Sequence, residues 1–176
     1  MNYTEKVILR KLKISDASFM REFYEDSAIS QQFKYTQENY KEDLAIKFIR
    51  SSWHLKDSYH YAIECNGVYA GTISLKNVNP LCNHAEYSIV VRKTFWGRNI
   101  AYIASKMILD IGFNNLNLNK IYLNVLSSNE RAQKLYKKLG FISEGFFKQH
   151  LFINNQYRDL CWYAIFSENY KIQQGE

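Results

Sequence analysis

The stretch from Ala85 to Leu126 constrains this chain more than any other part of it. "AEYSIVVR" at 85–92 has an almost continuous apolar centre at Ile89-Val90-Val91, the mark of a buried strand. Ile100, Ile103, Ala104, Met107, Ile108 and Ile111 then fall on one stripe of a helix spanning 100–113. "KIYLNVL" at 120–126 returns to a strand pattern. A strand, a helix and a second strand in that order predict a crossover between parallel neighbours. The fold class is therefore mixed α/β.

The flanks extend the pattern. Val7 to Leu12 alternates as a strand, and Ser15-Asp16 supplies a helix cap before "ASFMREFYED". A second helix is predicted from Gln37 to Trp53. Tyr59–Cys65 and Val68–Lys76 read as a hairpin around Asn66-Gly67, a favoured two-residue turn. Asn129 to Leu139 is predicted to be a helix closed by Gly140, and Phe141–Phe147 with Gln156–Phe166 to be a final antiparallel pair.

The 176 residues suit one domain, 1–176, with room for a full hydrophobic core. A single proline argues against linkers. Charges at Glu5, Lys6, Arg10, Lys11 and Lys13 interrupt any secretory leader, and no apolar run nears the roughly 18 residues that span a bilayer. Cys65, Cys82 and Cys161 are odd in number and without metal-type spacing, and the four histidines have no metal-type spacing either. The expectation is a cytoplasmic protein with structural thiols, no metal and no membrane partner. A net charge of +6 calls for an anionic partner. No run of five or six basic residues points to nucleic acid, so a phosphate-bearing small ligand is the better reading.

Two motifs carry chemistry. In "TFWGRNIA" at 94–101, a glycine-containing turn leads from strand to helix. Gly97 allows close backbone approach, the first helical N–H groups lack intrahelical partners, and Arg98 adds charge, so a pyrophosphate fits there. An ordinary helix start gives the same signal. In "SNERAQKLYKKLGF" at 128–141, Ala132, Leu135, Tyr136 and Leu139 share a helix face, where Tyr136 is either a core aromatic or a functional phenol.

Together these motifs resemble the GNAT acetyltransferase superfamily. Asn129, Ala132, Leu135, Tyr136, Lys138, Gly140 and Phe141 match its N-x-x-A-x-x-L-Y-x-K-x-G-F pattern position for position. Its Q/R-x-x-G-x-G/A motif corresponds to Thr94 through Asn99, with Thr94 at the first position and Asn99 in place of the second glycine. Asn is the residue after glycine that best tolerates a left-handed backbone, so the turn survives. The resemblance implies the GNAT fold: a mostly antiparallel sheet of about seven strands, splayed in the middle and flanked by about four helices. It implies acetyl-CoA as acetyl donor. Ile89, Val90 and Val91 would pair with the pantetheine arm, and Phe95, Trp96, Gly97, Arg98, Asn99, Ile100 and Ala101 would hold the pyrophosphate. Asn129, Ala132, Tyr136 and Lys138 would line the coenzyme's other side.

Acetyl transfer to an amine needs a deprotonated nucleophile, a stabilised oxyanion and a protonated leaving thiolate. Tyr136 is the predicted acid, since a phenol of pKa about 10 stays protonated beside a thiolate of about 8.5. Glu86, on the splayed strand, is the candidate base, with a surface glutamate as the plain alternative; backbone N–H groups near Ile89 suit the oxyanion. Within the superfamily, "HAEYSIVV", "NLNKIYLNV" and "FFKQHLFINNQYRD" resemble the spermidine N-acetyltransferases, with ribosomal-protein and amino-sugar enzymes sharing much of the pattern. The acceptor is read as a primary amine on a small molecule, a polyamine or an amino sugar, attacking directly in a ternary complex. Tyr24, Glu38, Glu42 and His150 are its candidate binding residues. Lys34 and Tyr35 stand where that branch tends to carry acids, which thins a polyamine site. Protein N-terminal acetylation, or coenzyme binding without catalysis, are the alternatives, and a homo-oligomer is compatible with all three.

Overall fold

A computed structural model describes residues 5–35 and 39–174. Its centre is a sheet in the order β1-β2-β3-β4-β5-β7-β6. The strands are β1 (Val7–Lys11), β2 (Tyr59–Cys65), β3 (Val68–Asn79), β4 (His84–Val91), β5 (Lys120–Leu126), β6 (Ile142–Ile153) and β7 (Gln156–Phe166). All neighbours are antiparallel except β4 and β5, which run parallel. That pair is joined by α4 (Ile100–Asp110), the crossover the apolar stripe predicts, continued by a wider turn at Ile111–Asn115.

The other helices are α1 (Ala17–Glu25), α2 (Ser27–Ser30), α3 (Glu42–Ser52), α5 (Glu130–Lys138) and α6 (Ser167–Gln174). Six helices therefore replace the four expected; α2 and α6 are too short to show periodicity. α3 starts at Glu42 rather than Gln37, and Gln37 lies outside the described residues. Asp16 does not cap α1 through its side chain. Its carboxylate instead accepts from the Lys13 N–H at 2.8 Å and from both terminal nitrogens of Arg10 at 2.8 and 2.9 Å. A half-buried guanidinium that needs a counter-ion outcompetes the helix end. The Asn66-Gly67 turn and Gly140 behave as predicted, all three with positive φ.

Strand alternation divides the apolar residues between the two sheet faces. Ile63, Ile73, Leu75 and Tyr87 pack with Ile100, Ala104 and Ile108 of α4 on one side. Ala62 and Tyr69 pack with Met20, Phe23 and Ile49 of α1 and α3 on the other. Arg92, just past β4, donates to both carboxylate oxygens of Glu22 at 2.7 and 2.9 Å and to the Tyr69 carbonyl at 2.8 Å, pinning α1 to that end of the sheet.

β3 and β4 approach so closely at Gly71 that a Cβ there would lie 2.2 Å from the Val90 carbonyl oxygen. Backbone cannot yield as a side chain does. Gly71→Ala is therefore expected to destabilise the fold by about 1–3 kcal/mol, the usual cost of overpacking, read as a lower urea midpoint at unchanged m-value. No described helix is long and apolar enough to cross a membrane.

Candidate active site

β4 and β5 pair only from His84–Glu86 to Lys120–Tyr122 and then part. A cleft of about 610 Å³ opens where they diverge. Ile89, Val90 and Val91 supply one wall, on an edge of β4 that no strand covers beyond Glu86. Asn124 and Val125 of β5 supply the other. The ring of Tyr136 fills the wedge between the strands, 5.9 Å from that of Tyr87 on β4 and 6.4 Å from that of Tyr163 on β7.

At one end lies the turn between β4 and α4. Phe95, Trp96, Gly97, Asn99, Ile100 and Ala101 all face the cleft. Gly97 has φ +74° and Asn99 φ +60°, so the asparagine holds the left-handed conformation that glycine would otherwise supply. A Cβ on Gly97 would touch nothing within 4 Å, so this glycine is needed for its dihedral and not for space. The first N–H groups of α4 have no intrahelical acceptor and sit at the positive end of the helix dipole.

The polar side chains sort differently from expectation. Arg98 turns away from the cleft and donates from Nε to Glu5 at 2.7 Å. Lys138 also lies off the lining, with Nζ 4.4 Å from the centre of the Tyr102 ring. The cation in this part of the wall is Arg131, its guanidinium 3.3 Å from the centre of the Trp96 ring. Asn129 caps α5 by accepting the Ala132 N–H at 3.1 Å, and both residues line the cleft. An anionic diphosphate fits this end: among the described residues, helix N–H groups, a helix dipole and the Arg131 guanidinium converge there, and no carboxylate does.

Tyr136 is 7% exposed, and its hydroxyl has no hydrogen-bond partner among the described residues. Burial alone raises its pKa above the ordinary tyrosine value. It is thus a neutral O–H opening on the cleft, able to donate to whatever arrives.

At the other end, α1, α2 and the segment after them contribute Tyr24, Gln32, Phe33, Lys34 and Tyr35, and α3 contributes Phe48. The sheet adds a polar row from facing positions of β2, β3 and β4. His60 opposes Ser74, which opposes Ser88, and the His60 Nδ1 lies 2.8 Å from the Ser74 Oγ. Burial, then the charge of Lys76, lowers the His60 pKa, leaving a neutral imidazole. Glu86 points to this side but lies off the lining. Its carboxylate contacts Lys76 Nζ at 3.1 Å and Lys34 Nζ at 3.6 Å, and accepts from Asn77 at 3.3 Å. Of the predicted acceptor residues, Tyr24 lines the cleft. Glu42 is exposed at the start of α3, His150 lies beside Phe147 on β6, and neither reaches the lining. Glu38 lies outside the described residues.

Lys34, Lys76, His60, Asn124 and Arg131 were not singled out as site residues in the sequence. The pairing of β3 with β4 carried a partial signal, since register places Lys76 opposite Glu86. Among the described residues no cluster of three His, Cys, Asp or Glu side chains can hold a metal.

Comparison with known proteins gives a consistent result. A family model described as an acetyltransferase (GNAT) domain matches residues 6–142. A spermidine N(1)-acetyltransferase of Escherichia coli is 33% identical, covering 97% of this chain and 91% of the relative's. The solved structure of a Vibrio cholerae spermidine N-acetyltransferase in complex with CoA and spermine superposes with TM-score 0.84 at 27% identity, covering 94% of this chain and 98% of that one. A dodecameric structure of spermidine N-acetyltransferase from Vibrio cholerae gives TM-score 0.79 at 26% identity, covering 97% and 98%.

Proposed function

Since this chain belongs to the GNAT acetyltransferase family and is an acetyl-CoA-dependent acyltransferase, we propose that it acetylates a primary amine of a small molecule by direct attack in a ternary complex. The observation that carries this is the position of Tyr136: a neutral hydroxyl, without a hydrogen-bond partner among the described residues, on the lining of one cleft that runs from the Gly97 turn to Lys34 and Phe48. The coenzyme end is built from the backbone around Gly97 and Asn99, from the uncovered edge of Ile89–Val91 and from Arg131. The acceptor enters from the end bounded by Tyr24, Tyr35 and Phe48.

Acetyl-CoA supplies a thioester whose C–S bond breaks as the C–N bond forms. Both reactants held in one cleft gain proximity, worth up to about 7–11 kcal/mol in the best cases. The incoming ammonium gives one proton to solvent and attacks as the free amine. Its second proton becomes acidic once nitrogen bonds the acetyl carbon, and passes to the neutral His60 imidazole, which returns it to solvent. Tyr136 gives its proton to the departing sulfur and recovers one from solvent. Glu86, which accepts from Asn77, acts as the counter-ion of Lys34 and Lys76.

The three unpaired cysteines suit a reducing compartment, and we place the enzyme in the cytoplasm. Exposed Phe146, Phe152 and Tyr157 on β6 and β7 offer a face for a homo-oligomer. A turnover screen of polyamines, amino sugars and Ala- or Ser-starting peptides with acetyl-CoA tests the function. Release of CoA dependent on a small amine is the expected result. Turnover with peptides alone would replace it with protein N-terminal acetylation, and binding without turnover with a coenzyme-binding module.

A further inference from the structure

Among the described residues, the charge of the acceptor end is opposite to what a polycation requires. Among the described residues the cleft lining contains Lys34, Lys76 and Arg131 and no aspartate or glutamate. Arg131 belongs to the coenzyme end, beside Trp96. Lys34 and Lys76 belong to the acceptor end and share a single carboxylate, Glu86, which leaves one positive charge in excess. Lys34 is also held by the Asn124 side-chain carbonyl across the gap from β5, so its ammonium is fixed at the cleft wall. Burial lowers the Lys34 pKa, Glu86 draws it back up and Lys76 lowers it further; an anion bound between the lysines would relieve both unfavourable effects. A second polar group points the same way. The Gln32 side-chain oxygen is buried at this end without a hydrogen-bond partner, and a buried acceptor left open in a cleft is satisfied when a ligand brings a donor.

We propose that the acceptor amine is carried by an anionic small molecule, whose carboxylate or phosphate docks between Lys34 and Lys76 and whose hydrogen-bond donors meet Gln32. The inference rests on the acetyltransferase reading above and narrows its substrate class. It sets this chain apart from relatives named for spermidine. A polyamine threaded here brings further ammonium groups against two lysines, and specificity is as much such repulsion as attraction.

Matched acceptors at constant ionic strength test it: glucosamine 6-phosphate against glucosamine, 4-aminobutyrate against butylamine, and spermidine. One member bearing the anionic group is expected to exceed both its partner lacking that group and spermidine in kcat/KM by tenfold or more. The pair showing the effect identifies the anion as phosphate or carboxylate. Lys76→Gln is expected to cut that ratio, with the anionic group over without it, at least tenfold, and Lys34→Gln serves as the second variant if the first does not fold. Spermidine turned over as well as the anionic amines, or ratios near one in the parent enzyme, overturns the inference while the acetyltransferase reading stands. No turnover of any amine overturns both.

Discussion

Tyr136→Phe is expected to lower kcat by about 10²–10⁴-fold, the usual cost of losing a general acid, while the protein stays folded and acetyl-CoA binds nearly as before. The ring contacts with Tyr87, Phe141 and Tyr163 are all kept by phenylalanine. The hydroxyl has no partner to lose, so stability changes by less than the roughly 1 kcal/mol of an ordinary hydrogen bond. A purely structural tyrosine at this position would therefore be nearly silent in every assay. The same burial gives a pH signature. Desolvation disfavours the phenolate, so the active, protonated form persists through and beyond the ordinary tyrosine pKa of about 10. Activity should then show no alkaline fall below about pH 10 from this group. Steady-state kinetics of both proteins with a confirmed amine, under conditions where chemistry limits the rate, decide the matter. A variant within threefold of the parent kcat passes the role to water or another side chain.

What the sequence revealed and what it concealed follow from how local each signal is. The crossover was legible because Ile100, Ala104 and Ile108 repeat at helical spacing between two apolar strands, and all three are fully buried. The left-handed Asn99 was legible because few residue types tolerate that conformation. The parting of β4 from β5 was not written in either strand; it entered through the family resemblance. Beside it lie the rings of Tyr136, Tyr87 and Phe141, brought together from β4 and from the 136–141 segment. The acceptor end was least legible. Lys34 sits outside any helix or strand, and its meeting with Glu86 and Asn124 has no periodic signature. Arg98 shows the complementary case: its place beside Gly97 suggests a phosphate ligand, and Glu5, remote in sequence, meets its guanidinium.

That arrangement of Arg98 makes the coenzyme turn a test of backbone against side chain. Gly97→Val is expected to raise the acetyl-CoA dissociation constant roughly 5- to 150-fold. A β-branched residue at φ +74° is strained by about 1–3 kcal/mol, and each 1.4 kcal/mol is a factor of ten in affinity. The valine side chain itself meets nothing, so the fold has no clash to relieve. The turn relaxes instead by rotating its peptide units, which moves the N–H groups at the start of α4 off the diphosphate. If the turn held its shape, the strain would appear as lost stability with affinity intact. Thermal unfolding and coenzyme titration of one preparation therefore separate the two routes. Asn99→Gly, which removes a milder strain at φ +60°, is expected to leave affinity at or above the parent level. Arg98→Ala is expected to cost less affinity than Gly97→Val, since its charge is already matched by Glu5. The reverse order, with Arg98→Ala the more damaging, would place the diphosphate on the guanidinium and take it off the backbone turn.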